Sequence, residues 1–472
     1  MRGQVVAAIL GHFLKAFTGI IAAPIPIGMY YGEPFSNLTG FLYASVACLI
    51  LGLSLNRIGD YQEPSVGEAM ISTVMGWVIA VVLGAIPFLV EISLVDATFE
   101  SAAGLTTTGM SMFLEPEALP NSMLFWRALM QWVGGLGVLT FFIAVIRESG
   151  GISRKLFSAE THKTDPGSIR PSLKKSIFEL WKVYIFITVL FIAVYSALGM
   201  ELFDAVAHSF SGISTGGFST TGESIGGFNQ MIQLATVGLM FLGGMNFVLI
   251  YKGLNMDFSI IKNSEFKLYS KIFLALSALF MLDIWRQGLE YTFFDAVFQA
   301  ASVYSSTGYA TMSLLGLSLF MQFILVGIMF MGGSVGSTSG GVKTFRIMTM
   351  YSMLKNQIKS YSLPDTAINK VKVDGEILGN ETLQTISVLV FAWLLIVFMA
   401  TGLVMAIEDM TFMAALSGTV SAAGNMGPVF MEGEAMIDLS EPVKLIWIFV
   451  MIAGRLEMLP VLAIFNRKVL SS

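Results

Sequence analysis

The chain has 472 residues, of which 55% are hydrophobic and only 12% charged, and its formal net charge is −5. A soluble domain carries about 25% charged residues, so this composition excludes an ordinary soluble protein and indicates an integral membrane protein. The single cysteine excludes a disulfide framework, and three dispersed histidines (His12, His162 and His208) offer no metal-ligand spacing.

Ten apolar runs are long enough to cross about 30 Å of hydrocarbon. They lie at residues 4–30, 37–56, 68–90, 123–146, 176–199, 230–251, 267–283, 318–350, 383–406 and 443–465. We predict that all ten are helical, because lipid leaves backbone groups no other partner outside a closed barrel. The first two stand apart, and the other eight form four pairs.

Each of the four pairs brackets one copy of a repeated loop. The copies read DATFESAAGLTTTGMS (96–111), DAVAHSFSGISTGGFS (204–219), DAVFQAASVYSSTGYAT (295–311) and, most diverged, AALSGTVSAAGNMGPV (414–429). Aligned without gaps, they place Gly109, Gly217, Gly308 and Gly427 in one column. Such self-similarity decides architecture. We predict an all-α membrane protein with two N-terminal spans and four helix–loop–helix repeats around a pseudo-four-fold axis.

The predicted boundaries follow the repeats. Residues 1–60 form the two-span N-terminal part, 61–150 repeat 1, 151–255 a polar link and repeat 2, 256–360 repeat 3, and 361–472 repeat 4.

The basic residues predict the orientation. They concentrate in the links 147–182, 252–271 and 343–372, whereas the loop-bearing side is acidic, with Arg286 its clearest exception. By the positive-inside rule the links and both termini are cytoplasmic. The four loops then enter from the outer face, where acidic residues would concentrate cations.

Four short segments within the loops have the composition of an ion filter. We name them quartet 1 (Thr106–Gly109), quartet 2 (Ser214–Gly217), quartet 3 (Ser305–Gly308) and quartet 4 (Gly424–Gly427). The helix before each quartet points the negative end of its dipole toward the axis. A filter needs inward carbonyls, and glycine reaches the required positive φ cheaply. Neutral oxygens without a carboxylate suit a monovalent cation better than a divalent one.

The alternative is that each loop is an ordinary Gly/Ser/Thr turn. That interpretation suits one loop, but four loops in register between paired spans favour the filter. The predicted ion-binding residues are Thr107, Thr108, Gly109, Thr215, Gly216, Gly217, Ser306, Thr307, Gly308, Asn425, Met426 and Gly427.

The eighth apolar run is interrupted by a stretch of glycine, serine and threonine, which we name the Gly/Ser segment (Gly332–Gly341). Such residues hold a helix poorly, and non-helical backbone at that depth is tolerated only inside protein or beside water. We predict a flexible barrier below the filter; a glycine-rich helix-packing face is the alternative. The predicted gate residues are Gly332, Gly333, Ser334, Gly336, Ser337, Thr338, Gly340 and Gly341.

Arg455 lies in the middle of the last apolar run. Ionisable groups there are costly and usually face the bundle interior or a cavity, so we predict an electrostatic barrier in the ion path. The alternative is a structural pair with a carboxylate. Glu457, two positions on, would lie on a different face of a helix and is a poor partner. Glu457 and Asp283 receive no role.

The chain resembles the Trk/Ktr/HKT potassium transporter superfamily, and within it the TrkH subunits, over essentially its whole length. Besides the quartets, the matching motifs are RALMQWVGGLGV (127–138), HSFSGISTGGFST (208–220), GGSVGSTSGGVKTFR (332–346) and GRLEMLPVLAIF (454–465). The resemblance implies a single-chain, pseudo-tetrameric, potassium-channel-like pore, with Gly109 marking potassium rather than sodium. It also supports the gate at the Gly/Ser segment and Arg455. Asn425 and Met426 depart from the Thr-rich pattern of the other loops.

The same resemblance implies a location and partners. It places the protein in the cytoplasmic (inner) membrane as a homodimer with a cytoplasmic RCK-domain regulatory protein of TrkA type. Potassium is then the substrate, this chain needs no cofactor, and a nucleotide acts only through the regulatory partner. No nucleic acid is implied.

Two other function classes were weighed. A sodium-dependent transporter of KtrB type or a cation-coupled symporter stays open, although many such carriers have inverted repeats whereas these repeats are parallel. An intramembrane enzyme would need a nucleophile and base, a carboxylate dyad or a metal cluster. The scarce histidines and the lack of paired intramembrane aspartates predict that the protein is not an enzyme.

Overall fold

A computed structural model describes residues 2–60, 62–146, 173–362, 364 and 370–464. The polar link predicted between the first two repeats (147–172) lies outside the described residues. Within the described residues, six helices are long and apolar enough to cross a membrane: Gly3–Tyr30, Phe35–Ile58, Val66–Val90, Phe178–Ala197, Ser264–Gln287 and Asn380–Ile407. A seventh span results if the bent pair Gln230–Gly243 and Phe247–Leu254 is taken as one.

The N-terminal part is a helical pair packed on the first repeat. It comprises α1 (Gly3–Ala22), α2 (Pro24–Tyr30) and α3 (Phe35–Ile58). Glycines let α1 and α3 approach closely, since a Cβ on Gly52 would lie 3.2 Å from the Gly11 carbonyl oxygen. Arg2 ties this part to repeat 1 through an ion pair of 2.8 Å with Glu68.

Each repeat consists of a long helix, a short helix, a quartet and a second helix. Repeats 1 and 2 contain α4 (Val66–Ala85), α5 (Leu94–Leu105), α6 (Asn121–Ile146), α7 (Leu173–Ala197), α8 (Leu202–Ile213), α9 (Gln230–Gly243) and α10 (Phe247–Leu254). Repeats 3 and 4 contain α11 (Ser264–Gln287), α12 (Phe293–Tyr304), α13 (Leu319–Phe330), α14 (Thr344–Ser360), α15 (Asn380–Ile407), α16 (Phe412–Gly424), α17 (Gly433–Ile437), α18 (Glu441–Arg455) and α19 (Leu459–Ile464).

Three of the four short helices begin with a side-chain N-cap. They are α5, α12 and α16, and the fourth short helix is α8. Ser93 and Thr411 accept hydrogen bonds from backbone N–H groups of α5 and α16, and Thr292 forms a capping box with Asp295 at α12. Such caps satisfy N–H groups that the first helical turn leaves without partners. These three short helices therefore begin at a defined residue, which fixes the position of the quartet at the C-terminal end of each.

Three of the second helices are broken below the quartets. Two of these breaks correct the sequence prediction, because the runs 230–251 and 443–465 were each expected to be one continuous helix. The first bends by 109° after Gly243, where Asn246 caps a new helix by accepting from the Val248 N–H. The second ends at Arg455, and Glu457 and Met458 follow with positive φ of 62° and 59°.

The third break is the Gly/Ser segment. Helix α13 ends at Phe330 and α14 begins at Thr344. The segment between them is closed at its base by two short parallel strands, β1 (Met331–Gly332) and β2 (Val342–Lys343), in the register Met331↔Val342. It is therefore a compact loop whose two ends meet.

A small hairpin joins α14 to the last repeat. Its strands are β3 (Lys372–Val373) and β4 (Glu376–Ile377), which pair antiparallel across a turn with positive φ at Asp374 and Gly375. The Asp374 carboxylate accepts a hydrogen bond of 2.6 Å from Ser264 Oγ, which fixes the hairpin to the start of α11.

Candidate functional site

The four quartets share one backbone conformation. The fourth residue of each is a glycine with positive φ: 80° at Gly109, 81° at Gly217, 84° at Gly308 and 95° at Gly427. The second residue also has positive φ, although none is glycine: Thr107 (58°), Thr215 (54°), Ser306 (61°) and Asn425 (50°). Left-handed backbone at such residues costs roughly 1–3 kcal/mol and persists only where the surroundings enforce it. Four repetitions of one strained pattern indicate a common task.

Each quartet is fixed to its short helix in the same way. The N–H of the third quartet residue donates to a carbonyl five residues earlier: Thr108 to Ala103, Gly216 to Ser211, Thr307 to Ser302 and Met426 to Ser421, at 2.8–3.1 Å. These bonds satisfy carbonyls that the end of a helix leaves free. The C-terminal end of every short helix is thus held directly against its quartet.

The glycine column closes a cycle among the four quartets. A Cβ on Gly109 would overlap the carbonyl oxygen of Gly216 in quartet 2, and one on Gly217 would overlap that of Thr307 in quartet 3. On Gly308 it would lie 2.5 Å from the Met426 carbonyl oxygen in quartet 4.

The cycle returns to its start at quartet 4. A Cβ on Gly427 would lie 2.9 Å from the Thr108 carbonyl oxygen in quartet 1. Each glycine therefore makes room for the third carbonyl of the next quartet. The predicted filter residues lie together, and all seven non-glycine residues among them are buried.

A second glycine column, which the sequence analysis did not recognise, lets the second helices approach the quartets. A Cβ on Gly134 or Gly454 would overlap the carbonyl just before its own quartet, on Leu105 or Ala423. On Gly243 it would lie 3.2 Å from the Ile213 carbonyl oxygen. The signal was available, since glycine pairs or their variants (Gly134-Gly135, Gly243-Gly244, Gly332-Gly333, Gly454-Arg455) follow every loop at a similar distance.

Gln131 on α6 is a further residue that the sequence analysis missed. Its side-chain Nε2 donates to the Gly216 carbonyl at 2.8 Å, and its Oε1 accepts from the Phe218 N–H at 3.1 Å. The side chain is fully buried. Gln131 thus spans quartet 2 from the side, and the Gly216 oxygen keeps a second lone pair.

A buried ion pair supports the chain that leaves quartets 1 and 2. Arg127 Nε lies 2.7 Å from Glu100 Oε1, and the two side chains are 3% and 0% exposed. The second carboxylate oxygen accepts from the Met112 N–H at 2.7 Å, and Arg127 also donates to the Ser219 carbonyl at 3.0 Å. The guanidinium stacks 4.2 Å from the Phe218 ring centroid. The Arg127 guanidinium and its carboxylate partner therefore hold both segments that leave quartets 1 and 2.

When the repeats are aligned on the glycine column, the position of Glu100 is occupied by a polar residue in two other repeats, His208 and Gln299. His208 Nε2 lies 3.0 Å from Ser219 Oγ, and Gln299 Nε2 donates to the Met312 carbonyl at 3.3 Å. The counterpart in repeat 4 is Gly418, where a Cβ would overlap the Trp447 ring. Three repeats hold the segment that leaves the quartet by a side chain at this position. Repeat 4 fills the position with indole and uses the adjacent Ser417, whose Oγ accepts from the Phe430 N–H at 3.0 Å.

The Gly/Ser segment lies against the ends of α8, α9 and α11 in a defined conformation. Thr338 Oγ1 donates to the carbonyls of Ile213 and Gly243 at 2.8 and 3.0 Å. The Val335 N–H donates to the buried Glu265 carboxylate at 2.8 Å. Displacing the segment would require these hydrogen bonds to break, so its mobility depends on what competes with them.

Arg455 connects the Gly/Ser segment to α6. Its Nη1 donates to the Thr338 carbonyl at 3.0 Å, and its Nη2 donates to the carbonyls of Gly134 and Gly135 at 2.6 and 2.7 Å. Its side chain lines a cavity of about 80 Å³ together with parts of the segment, Asn425 and Glu457. The predicted barrier residue and the predicted gate segment are therefore in direct contact below quartet 4.

The two acidic residues without a predicted role have local partners. Glu457 lies beyond the end of α18 and pairs with Arg346, at the start of α14, at 2.6 Å. Asp283 accepts hydrogen bonds from the backbone N–H and the hydroxyl of Ser318, which starts α13. Both carboxylates thus position helix ends around the site.

Comparison with known proteins identifies the family. The model of the TrkH family, described as cation transport protein, matches residues 39–282 and 284–472. The chain belongs to the TrkH family. It is 29% identical over 463 residues to an uncharacterized cation transporter of Methanocaldococcus jannaschii, covering 97% of this chain and 94% of that protein. It is 29% identical over 492 residues to the Trk system potassium uptake protein TrkH of Vibrio parahaemolyticus, covering 99% of both.

A solved TrkH structure has the same fold. The crystal structure of the potassium transporter TrkH from Vibrio parahaemolyticus matches with a TM-score of 0.88 and 26% identity, over 99% of this chain and all of that one. Membership of the TrkH family and this likeness confirm two predictions: the protein is an all-α, multi-pass membrane protein, and it is a transporter rather than an enzyme.

Proposed function

We propose that the protein takes up potassium through a channel-like pore at the centre of the four quartets. The observation that supports this proposal most directly is the closed cycle in which each column glycine faces the third carbonyl of the next quartet. Such a cycle brings backbone oxygens from four sides to one place. Oxygens in that arrangement replace the hydration shell of a monovalent cation.

The choice of potassium rests on the glycine column and on the relatives. Two relatives are named potassium uptake proteins or transporters, and Gly109, rather than serine, occupies the first column position. The pseudo-tetrameric pore is complete within one chain in this proposal, with repeats as bounded above. The gate is the Gly/Ser segment together with Arg455, which meet below the quartets.

Rubidium uptake into proteoliposomes tests the filter and the ion together. We expect uptake that potassium blocks and sodium hardly affects. Gly109→Ser should weaken this preference, because its Cβ would overlap the Gly216 carbonyl at a positive φ. Gly402→Ser is the matched control, since a Cβ there meets nothing within 4 Å. Equal uptake of sodium and rubidium by the wild-type chain would refute potassium selectivity.

Current measurements separate a pore from a coupled carrier. A pore conducts in symmetrical potassium with no sodium or proton gradient, whereas a KtrB-like sodium-dependent transporter or a symporter needs the second ion. We expect current under these conditions.

We extend the proposal to the assembly and its location. The family resemblance supports a homodimer in the cytoplasmic membrane, both termini inside, regulated by a cytoplasmic RCK-domain protein of TrkA type. Light scattering of the purified protein and co-purification with such a partner test these points. A monomer in mild detergent that binds no RCK-domain protein would contradict them.

A further inference from the structure

The second residues of the four quartets differ in what their side-chain oxygens do. Thr107 Oγ1 and Asn425 Oδ1 are buried and have no hydrogen-bond partner among the described residues. Thr215 Oγ1 donates to the Ser214 carbonyl at 2.7 Å, and a hydroxyl that donates keeps its acceptor lone pairs. Three of the four oxygens therefore have lone pairs free to bind a cation.

Ser306, the fourth member, is engaged by the Gly/Ser segment. Its hydroxyl donates to Ser339 Oγ at 2.7 Å and accepts from the Gly340 N–H at 2.8 Å. Ser339 Oγ in turn accepts from the Gly333 N–H at 2.8 Å, at the base of the segment. All three hydrogen bonds are buried, so a single hydroxyl of quartet 3 is tied to both ends of the segment, at Gly333 through Ser339 and at Gly340 directly.

The Gly/Ser segment also packs closely against quartet 4. A Cβ on Gly340 would overlap the Gly424 carbonyl oxygen and lie 3.1 Å from Asn425 Cβ. Ser339, Gly340 and Asn425 line the same cavity. The docked segment thus covers the quartets on the side where Asn425 lines the cavity.

We propose that the Ser306 hydroxyl serves in turn as anchor of the closed gate and as ligand of the innermost cation site. The Gly340 N–H takes one of the two lone pairs of the Ser306 oxygen and places a positively polarised hydrogen against it. The N–H and potassium therefore compete for that oxygen. Displacing the segment completes a ring of side-chain oxygens from Thr107, Thr215, Ser306 and Asn425. This inference rests on the proposed potassium pore and adds that the ion itself favours the open gate.

Thermodynamic linkage gives the direction of the effect. A ligand that binds one of two conformations more tightly shifts the population toward it, and the coupling is reciprocal. Potassium should therefore release the segment, and docking of the segment should weaken ion binding at the innermost site.

A single-cysteine reporter tests the proposal without relying on flux. Cys48 is the chain's only cysteine and is buried, so Cys48→Ser with Ser337→Cys places one thiol in the Gly/Ser segment. The rate of labelling by a water-soluble maleimide is measured in the full-length purified protein as potassium replaces choline at constant ionic strength. We expect the rate to rise about fivefold, the factor that corresponds to one buried hydrogen bond, and to rise little with sodium.

Three variants in the reporter chain locate the effect. Ser306→Ala should abolish the rise with potassium, whereas Ser306→Thr, which keeps the hydroxyl, should retain it. Ser339→Ala should raise labelling about fivefold without potassium, because it removes the anchor's partner and leaves the quartets intact. Thr215→Ala is the matched hydroxyl control, since Thr215 bonds only to its neighbour, and should keep a rise at higher potassium.

The outcomes distinguish this inference from the proposed function. A reporter chain that takes up rubidium selectively but is labelled at a potassium-independent rate would overturn the inference and leave the potassium pore standing. Unchanged labelling in Ser339→Ala would also overturn it, even if Ser306→Ala does not fold. Loss of selective uptake by the reporter and the wild-type chain would refute the proposed function and this inference with it.

Discussion

Gln131 gives quartet 2 a side-chain support that no other quartet has among the described residues. The glycine column of the second helices aligns Gln131 with Met240, Met329 and Met451 in repeats 2, 3 and 4. A methionine at this position would fill the space but would leave the Gly216 carbonyl and the Phe218 N–H without their side-chain partner. The amide therefore fixes the direction of a carbonyl that the proposed filter uses.

Gln131→Met should reduce the preference for rubidium over sodium while protein still assembles. Each buried polar group left without a partner costs about 1–3 kcal/mol, so we also expect a lower unfolding temperature. Competition uptake and thermal unfolding in detergent measure the two effects. Gln287→Met, at an exposed helix end, should change neither, and full selectivity in Gln131→Met would show that the amide is dispensable.

Arg455 contacts the Gly/Ser segment, the proposed gate, from a position that glycine occupies in the other repeats. Removing its guanidinium takes away the hydrogen bond to Thr338 in the segment and a positive charge beside the cavity. Arg455→Ala should raise rubidium uptake roughly tenfold, since hydrogen bonds to charged groups contribute about 1.5–3 kcal/mol. Arg455→Lys should lie between, because an ammonium cannot reproduce the guanidinium fork.

The control for Arg455 is Arg286→Ala, which removes an exposed arginine. Its uptake should match the wild-type value. A folded Arg455→Ala protein with unchanged uptake would argue against a barrier role.

At the scale of single residues, the sequence predicted the backbone conformation of the column glycines, because positive φ is the main physical reason for glycine at such a position. A glycine column predicts positive φ, and the structure has positive φ at all four positions. The left-handed backbone at Thr107, Thr215 and Ser306 could not be predicted, because threonine and serine normally avoid it. Only the surrounding contacts impose that conformation.

The ion pair between α5 and α6 holds the segments that leave quartets 1 and 2, and these segments belong to two different repeats. Arg127→Met leaves the Glu100 carboxylate buried without its cation, and breaking a buried pair in this way costs about 3–5 kcal/mol. The double variant Glu100→Gln with Arg127→Met should be less destabilised than the sum of its single variants. Chemical unfolding of all four proteins gives the coupling.

Arg57→Met is the matched control, because Arg57 lies exposed at the end of α3. It should leave stability unchanged. Strict additivity of the Glu100 and Arg127 variants would show that their ion pair carries no coupling.

The ion pair between Arg346 and Glu457 joins the start of α14 to the break after α18. It connects the chain leaving the Gly/Ser segment to the chain leaving Arg455. Glu457→Gln keeps the shape and removes the charge, and we expect a loss of about 1–2 kcal/mol, less than for a fully buried pair. Basal rubidium uptake should rise severalfold, because both ends of the gate lose a common support.

Two comparisons test the role of the Arg346–Glu457 ion pair. Arg346→Met should reproduce the effect of Glu457→Gln, and combining the two should add little further uptake. Glu441→Gln, at the start of α18, is the control for loss of a carboxylate elsewhere in the same repeat. Uptake that rises equally in the control would indicate a general charge effect.

At the scale of elements, apolar length predicted ten spans, of which six described helices, or seven with the bent pair, are long and apolar enough to cross a membrane. It did not predict which runs are broken. The runs 230–251 and 443–465 have enough hydrophobic residues for one helix each, and hydropathy carries no information on a bend. The break after Gly243 follows from a cap at Asn246 and from contacts with the Gly/Ser segment, since the Phe247 N–H donates to the Gly336 carbonyl at 3.1 Å. Such a contact between distant residues leaves no local pattern.

The whole molecule is four-fold in its loops and asymmetric in its supports. All quartets share one conformation, yet Gln131, the Glu100–Arg127 pair, the Gly/Ser segment and Arg455 each occur in a single repeat. A chain with four unequal repeats can place one gate segment under one side of a common centre. An assembly of four identical subunits would instead contain four such segments, one under each side of the centre.

The cycle of quartets also constrains how the protein is made. The contact that joins its ends, from Asn425 Nδ2 to Thr108 Oγ1, links residues 317 positions apart. A chain synthesised from its N-terminus inserts three quartets well before the fourth, and during that interval the oxygen cage is open on one side. If the proposed pore is formed by the four quartets, nascent and prematurely terminated chains should lie in the membrane without a selective path until the last repeat has been inserted.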